Sequence, residues 1–310
     1  MNNRKICAAA MVLMMMLGAG CSVNNNESAS DKAAAQQEQS VDTSTSQDGE
    51  STNDPASSDE DSSPDEAPDN SASVTLNGSS AEISEGAQGI SVSGSVVTIT
   101  AAGDYTFTGT LDDGQILVNA PKTDKVDIYL DNVTISNSAT APIRVEAADG
   151  VTLHLVEGSV NRFTDSASNN VSACISAKDD LTIKGKGTLQ VIGNGKHAIK
   201  SSNDVKIKNG IYEIASVAAG IYGEDSVQLT GGTITITTCK DGIKSVNDTD
   251  TERGTVSCED AVVDIQNASG NGIEASKEVA VLSGSIKIHS VKQAINCDVQ
   301  TVAEGAVTVY

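Results

Sequence analysis

Pairs of oxygen-bearing side chains recur in the second half of the chain, each just before a short alternating apolar stretch. The pairs are Asp179-Asp180, Asn203-Asp204 and Glu224-Asp225. Stacked in successive turns of a repeat, their oxygens would converge on a hard cation, and Ca²⁺ takes six to eight oxygens at about 2.3–2.6 Å. Unpaired carboxylates that close would also repel each other, which a cation would relieve. The pattern predicts a calcium site; the alternative is that these residues only form turns through side-chain hydrogen bonds.

A second candidate for the cation is Asp241 with Asn247, at the start of the polar stretch 247–254. The acidic run at 248–252 superficially resembles a calcium loop but lacks the glycine and the glutamate spacing of an EF-hand. We interpret this run as a solvated loop.

Residues that could hold a sugar are few, because the chain has no Trp, five Tyr and two Phe. Tyr222 follows an apolar repeat position and should point outward, so it is the one plausible stacking residue. Lys200, Lys240 and Lys244 are expected in the repeat turns and could pair with the carboxylates of an acidic glycan. Ordinary surface charge is the alternative explanation for these lysines.

These candidate residues recur within a sequence repeat that has a period near 22 residues. An isoleucine follows a small residue six times, at Ile175, Ile199, Ile221, Ile243, Ile273 and Ile295. Between these anchors apolar and polar residues alternate, which is the period of a strand with one buried face. A repeat of this length made of short strands predicts a β-solenoid. We expect an all-β fold, a right-handed parallel β-helix with about 22 residues and three short strands per rung.

Four further apolar positions keep step with the anchor and should form ladders inside the solenoid. The columns are Leu181, Val205, Val227, Val256 and Val279; Ile183, Ile207, Leu229, Cys258 and Val281; Leu189, Tyr212, Ile234, Val263 and Ile286; and Val191, Ile214, Ile236, Ile265 and Ile288. The stretch 247–254 lengthens one interval, and insertions in solenoids map to outer loops.

The segment from residue 73 to the anchors also alternates like strands, but less regularly. We predict the first rungs of the same solenoid there, preceded by an N-terminal capping segment. A separate β-sandwich is the alternative. Together, residues 73–310 should form one elongated domain.

The N-terminal residues have the pattern of an export signal. Arg4 and Lys5 precede a short apolar core, and the sequence LGAGCS at 17–22 is similar to a bacterial lipobox. We expect residues 1–20 to be a lipoprotein signal peptide and Cys21 to carry the lipid. The alternative is an ordinary secretory signal with a stray cysteine. Residues 21–72 are acidic and rich in Ser and Asp, which predicts a disordered tether. The protein should be lipid-anchored at the outer face of the cell membrane.

The net charge of −22 argues against nucleic acid as a partner. Four cysteines remain after the signal and the lipidation site: Cys174, Cys239, Cys258 and Cys297. An exported protein could join them in two disulfides, but free thiols acting as small apolar fillers are the interpretation we prefer.

Several motifs resemble those of the bacterial carbohydrate-binding β-helix domain of surface lipoproteins, a family with a calcium-containing, polygalacturonate-binding member. They are VTLNG at 74–78, AGDY at 102–105, GTLDDGQI at 109–116, LDNVTI at 130–135, SATAPI at 138–143, SAKDDLTI at 176–183 and KDGIKS at 240–245. The resemblance implies a pectate-lyase-like β-helix, bound calcium and affinity for acidic plant polysaccharide, without a known reaction.

The chain departs from this family pattern at the residue two before the anchor isoleucine. Family repeats often have Asp there, and this chain has His197, Ala219, Asp241, Asn271 and Gln293. Part of the calcium binding that the resemblance implies is therefore in question.

Three functions stay open from the sequence. The first is a non-catalytic surface protein that binds acidic polysaccharide with calcium assistance. The second is a calcium-dependent polysaccharide lyase, which would need an Arg or Lys base, although no residue is marked out for that role by its spacing. The third is a structural surface protein or adhesin without a glycan ligand. End-to-end self-association through open solenoid edges is a further expectation.

Overall fold

The computed structural model describes residues 70–168 and 171–310, and within these ranges every regular element is a β-strand. No helix of sufficient length and apolar character to cross a membrane occurs in this part of the chain. The predicted signal, lipidation site and most of the tether lie outside the described residues.

The first four strands close the N-terminal end of the fold. They are β1 (Ser71–Gly78), β2 (Ala81–Ile83), β3 (Ile90–Ser93) and β4 (Val96–Ile99). Strand β2 pairs antiparallel with β1, and β3 pairs antiparallel with β4, whereas β1 and β4 also pair parallel with strands further along the chain. The antiparallel strands thus cover both edges of the first rung. This is the predicted capping segment, and it is continuous with the solenoid rather than a separate sandwich.

The next six strands include two that are longer than those of the later repeats, with 9 and 13 residues. They are β5 (Gly103–Leu111), β6 (Gln115–Asn119), β7 (Lys125–Asn137), β8 (Ile143–Ala147), β9 (Gly150–Leu155) and β10 (Val160–Asp165). Strand β7 pairs with β9 through its first half and with β10 through its second half. It turns between the two at Asn132, whose φ of 56° lies in the left-handed region that Asn tolerates. One long strand here spans two sides of the solenoid, which explains why the spacing is irregular in this part of the sequence.

From residue 173 onward each rung contributes three short strands. They are β11 (Ala173–Ala177), β12 (Asp180–Gly185), β13 (Thr188–Gly193), β14 (His197–Ser201), β15 (Asp204–Lys208), β16 (Ile211–Ser216), β17 (Ala219–Gly223), β18 (Ser226–Thr230), β19 (Thr233–Thr238), β20 (Asp241–Ser245), β21 (Thr255–Glu259), β22 (Val262–Ala268), β23 (Ile273–Ala275), β24 (Glu278–Val281), β25 (Ser285–Ser290), β26 (Ile295–Asn296), β27 (Val299–Val302) and β28 (Val307–Val309).

Parallel pairing between rungs builds three faces. The first face runs through β9, β12, β15, β18, β21, β24 and β27. The second face runs through β10, β13, β16, β19, β22, β25 and β28. The third face runs through β4, β6, β8, β11, β14, β17, β20, β23 and β26. The fold is therefore the parallel β-helix that the sequence predicts.

The interior consists of the predicted ladders. The anchor residues pair in register along the third face, for example Ile199 with Ile221 and Ile221 with Ile243. The other four columns are in register too, and Tyr212 is buried within its own. A side chain at Gly242 would meet the carbonyl oxygen of Gly272 in the next rung at 2.5 Å. Close contact between rungs thus explains why a small residue precedes each anchor.

The four cysteines are free thiols, and Cys258 occupies an interior column as a small apolar side chain. The polar stretch 247–254 lies between β20 and β21, outside the strands, as the sequence predicts. Asn247 closes this loop, because its side-chain oxygen accepts hydrogen bonds from the backbone N–H groups of Thr249 and Asp250.

Candidate functional site

The third face presents one outward side chain from each rung, directly after the anchor residue. Strand register aligns these side chains in a single row along the solenoid. In rung order the row consists of Arg144, Ser176, Lys200, Tyr222, Lys244 and Glu274. We call it the outer row. Three residues proposed from the sequence as ligand contacts, Lys200, Tyr222 and Lys244, lie side by side in it. Lys200 and Lys244 are therefore on strands β14 and β20 and not in turns, where the sequence predicts them.

The ring of Tyr222 is fixed by its neighbours. The Lys200 ammonium lies 5.0 Å from the ring centroid, a cation–π distance. The hydroxyl donates to the carbonyl of Val246 at 3.2 Å, and the His197 ring packs against the Tyr222 ring with centroids 5.1 Å apart. Burial first, and nearby acids second, raise the pKa of Tyr222, so the phenol stays neutral at physiological pH. The row therefore contains a rigid, half-buried aromatic edge between two cations.

Each of these two cations has a carboxylate beside it. Lys244 Nζ lies 2.9 Å from Glu274, and Lys200 Nζ lies 3.7 Å from Glu224. The two lysine side chains are only 21% and 19% exposed, so they are held along the face rather than free in solvent. The two lysines lie on either side of Tyr222, each one rung away from it.

A cleft of about 280 Å³ opens at the N-terminal part of the outer row. Its lining includes Arg144, Lys178 and Lys200 together with the hydroxyls of Ser172 and Ser176. The cleft thus combines three cations with donors and acceptors suited to sugar hydroxyls.

Glu146 lies in the same cleft, with one carboxylate oxygen on the Arg144 guanidinium and the other 2.5 Å from Lys178 Nζ. The hydrogen bond from Lys178, followed by the charges of both cations, holds the pKa of Glu146 below its usual range despite partial burial. The carboxylate is therefore ionised and held by two positive groups.

Sequence reasoning missed Arg144, Lys178 and Ser176, although a signal for two of them exists. Arg144 follows Ile143 and Ser176 follows Ile175, the same relation to an anchor that singles out Tyr222. The spacing of 32 positions from Ile143 to Ile175 departs from the 22-residue period and hides the relation. Lys240, which was proposed from the sequence, lies in the turn before β20 and outside the outer row.

Four of the predicted calcium ligands do come together at the turn that precedes the first face. A cleft of about 420 Å³ is lined by Asp180, Asn203, Asp204 and Asp225, with Glu252 and Arg253 from the loop 247–254. The other two residues of the three predicted pairs have different neighbours. Glu224 faces Lys200, and Asp179 is buried beside Lys122 while it accepts a hydrogen bond from the backbone of Ala148.

The carboxylates of this acidic turn already have partners. Arg253 forms an ion pair with Asp225, which also accepts a hydrogen bond of 2.8 Å from Asn247. Asp204 accepts a hydrogen bond of 2.8 Å from the Ser226 hydroxyl. Across residues 70–168 and 171–310, no group of three or more His, Cys, Asp and Glu side chains is arranged to hold a metal ion. As arranged, these residues do not fit a calcium cage, because the Arg253 guanidinium takes the place of a cation.

The second predicted pair, Asp241 and Asn247, has separate partners, and Asn247 donates to Asp225 in the acidic turn. Asp241 is buried, and its side chain accepts a hydrogen bond of 2.9 Å from the backbone N–H of Asn271 in the next rung. His197 occupies the same position two rungs earlier, where its Nδ1 accepts from the backbone N–H of Ala219 at 3.0 Å. The position two before the anchor is thus a backbone acceptor in these rungs. In the rung between them Ala219 has no side-chain acceptor, and the backbone N–H of Asp241 donates to the carbonyl of Ala218 at 3.4 Å, so the departure from the family pattern does not leave that N–H group without a partner.

The fold and the outer row define a class, the β-helical proteins that present a row of polar side chains along one face. The model of the carbohydrate-binding domain-containing protein family matches residues 93–309, and the chain belongs to this family. A carbohydrate-binding domain-containing protein of Acetivibrio thermocellus is 43% identical over 130 residues, which cover 39% of this chain and 46% of that protein. The match therefore spans about half the length of this relative.

A solved structure has the same fold. It is a polysaccharide lyase-like protein from C. thermocellum, determined as a gadolinium derivative, and it resembles this chain with a TM-score of 0.73 and 33% sequence identity. The similarity covers 76% of this chain and 98% of that protein.

Proposed function

We propose that this chain is a non-catalytic, lipid-anchored surface protein that binds an acidic polysaccharide along the outer row. The observation that carries the proposal is the placement of Lys200, Tyr222 and Lys244 in successive rungs, beside a cleft that adds Arg144 and Lys178. Membership of a carbohydrate-binding family supports a glycan as the ligand.

Charge supports the choice of an acidic glycan. A chain with a net charge of −22 repels a polyuronate over most of its surface. The outer row and its cleft instead gather four cations on one face, where strand spacing sets neighbouring rungs about 4.8 Å apart. An extended polymer lying along the solenoid axis meets these cations in sequence, and its sugar hydroxyls meet the serines of the cleft.

Lyase activity is the second candidate, since the similar solved structure is described as polysaccharide lyase-like. A lyase would require a cationic side chain free to act as the base. In the outer row Lys200 and Lys244 each have a carboxylate neighbour, which favours binding over proton abstraction. Release of unsaturated products that absorb in the ultraviolet from polygalacturonate would establish the lyase instead.

The proposal is tested by affinity electrophoresis of the full chain in gels containing polygalacturonate, or a neutral glucan as the control. We expect retardation in the polygalacturonate gel, little in the glucan gel, and no product release. Retardation by neither polymer would contradict the proposal and favour an adhesin without a glycan ligand.

Calcium enters this proposal at the acidic turn, where a bound ion requires Arg253 to release Asp225. The gels are therefore run with calcium and with a chelator. Retardation that needs calcium would assign the ion a role in binding, whereas equal retardation would leave the cations of the outer row as sufficient.

Anchoring through Cys21 and the tethering role of residues 21–72 belong to the proposal on the sequence pattern alone. Incorporation of labelled palmitate that is lost in Cys21→Ala would support lipidation, and an absence of incorporation would contradict it. End-to-end self-association stays a prediction, against which a monomeric mass in light scattering at all concentrations would count.

A further inference from the structure

We infer that Glu146 is an internal competitor for the carboxylate of the ligand, and that its displacement accompanies uronate binding in the cleft. The inference rests on the proposed function and adds a specificity-determining residue to it. It also identifies the ligand group that the cleft recognises, which is a sugar carboxylate rather than a hydroxyl.

The geometry places Glu146 where an incoming carboxylate would bind. Arg144 and Glu146 stand two residues apart on β8 and so project from the same side of the third face. Lys178 reaches them from the next rung, just after β11. The two oxygens of Glu146 are shared between the two cations, one on each.

The exposed fractions of the three side chains indicate which group an incoming ligand meets first. The side chain of Glu146 is 23% exposed, whereas those of Arg144 and Lys178 are 43% and 62% exposed. The carboxylate therefore lies deeper than the cations, which project toward the mouth of the cleft. A ligand approaching from solvent meets the cations first and can take them over from Glu146.

Chemistry decides which ligand group can do so. A guanidinium and an ammonium that converge on one carboxylate form the strong, charge-assisted geometry for carboxylate recognition. A uronate supplies the same group as Glu146, together with hydroxyls for Ser172 and Ser176. A neutral sugar supplies only hydroxyls and cannot replace the charge of Glu146. Glu146 therefore opposes the binding of a neutral sugar more strongly than the binding of a uronate.

The alternative is an ordinary surface ion pair, which contributes little to stability and nothing to binding. The variant Glu146→Gln separates the two cases, because it keeps the size of the side chain and removes its charge. A matched control is Glu157→Gln: Glu157 lies 3.8 Å from Lys186, both side chains are about three-quarters exposed, and the pair is not among the cleft-lining residues.

The test measures the dissociation constant of the full chain for polygalacturonate oligomers by titration calorimetry, with folding checked by circular dichroism. We expect Glu146→Gln to raise the affinity about tenfold, the scale of one charge-assisted hydrogen bond, and Glu157→Gln to leave it within about twofold. Combining Glu146→Gln with Arg144→Gln should cancel the gain, since the freed guanidinium is then missing.

Other outcomes identify which claim fails. Binding by the unmodified protein with no gain in Glu146→Gln would overturn the inference and leave the proposed function standing. Equal gains in affinity in Glu146→Gln and Glu157→Gln would show that the effect comes from the overall charge of the protein, and this result would also overturn the inference. If the unmodified protein and both variants all fail to bind, the proposed function itself is wrong.

Discussion

At the scale of single residues, two buried polar side chains, Asn137 and Asp165, form hydrogen bonds to backbone groups of the solenoid. Asn137 and Asp165 are in register in neighbouring rungs. The side chain of Asn137 donates to the carbonyl of Gly114 at 2.7 Å, and its oxygen accepts two backbone hydrogen bonds. Asp165 also accepts two, from Asn194 and Gly195, but its second oxygen is buried without a partner.

This difference predicts that Asp165→Asn stabilises the protein at neutral pH. Burial raises the pKa of Asp165, so its contribution to stability is greatest below the unfolded pKa and is lost as pH rises through the folded value. The amide carries no charge and can donate a hydrogen bond, so we expect a gain of about 1–2 kcal/mol at pH 7 that shrinks at acidic pH.

Urea unfolding at several pH values measures this gain. The reverse change, Asn137→Asp, serves as the control and should destabilise the protein at pH 7 by about 1–3 kcal/mol, because a buried donor is lost. A less stable Asp165→Asn protein at pH 7 would show that the unpartnered oxygen has no energetic cost.

A second prediction at this scale concerns His197. Burial first, and the charges of Lys196, Lys200 and Lys244 second, lower the pKa of His197 to about 3. A depressed histidine pKa gives stability that is complete above the unfolded value near 6.5 and is lost as pH falls toward the folded value. The free energy of unfolding should therefore decrease as pH drops below about 6.5.

His197→Asn keeps a side-chain acceptor near the backbone N–H of Ala219 and removes the titrating group. We expect its stability to change less with pH than that of the unmodified protein over the range from 6.5 to 4. Thermal unfolding of both proteins at several pH values measures this difference. Equal losses of stability in both proteins would show that a group other than His197 causes the acid sensitivity.

At the scale of the strands, register decides which charges become neighbours. On the outer side of the first face Lys184 pairs directly with Lys208, whereas on the second face Asp264 pairs with Lys287. Like charges directly across a pair of strands destabilise a sheet, and opposite charges stabilise it.

The two pairs predict opposite effects of the same substitution. Lys208→Glu creates an opposite pair with Lys184 and should stabilise the protein by about 0.2–1 kcal/mol. Lys287→Glu creates a like pair with Asp264 and should destabilise it by a similar amount. Denaturant unfolding at low salt measures both, and effects of the same sign would contradict the register argument.

The strands also show why much of the fold could be predicted and part of the site could not. Alternation and the 22-residue period determine the interior columns, and hence the outward placement of Lys200, Tyr222 and Lys244. Contacts from outside the period cannot be obtained that way. Arg253 enters the acidic turn from a loop interpreted as merely solvated, and it forms an ion pair with Asp225, one of the carboxylates predicted as a calcium ligand.

At the scale of the whole molecule, an acidic protein presents three of the cations proposed to bind the ligand, Arg144, Lys200 and Lys244, in one line along the solenoid axis. Binding that depends on these cations should weaken with ionic strength, because salt screens exposed charges over about 10 Å at 0.1 M. Titrations at several salt concentrations should show a falling affinity for polygalacturonate. An affinity that is independent of salt would indicate that the contacts are mainly apolar or purely between hydroxyls.

Binding along the outer row is tested by comparing two variants of the full chain in titration calorimetry with polygalacturonate oligomers. One is the double variant Lys200→Gln/Lys244→Gln in the outer row, and the other is Lys186→Gln at a lysine that is 75% exposed and does not lie in the row. If the glycan binds along the outer row, the double variant should lose at least about tenfold in affinity, while the affinity of Lys186→Gln should stay close to that of the unmodified protein. Equal affinities in all three proteins would show that the glycan does not bind along the outer row.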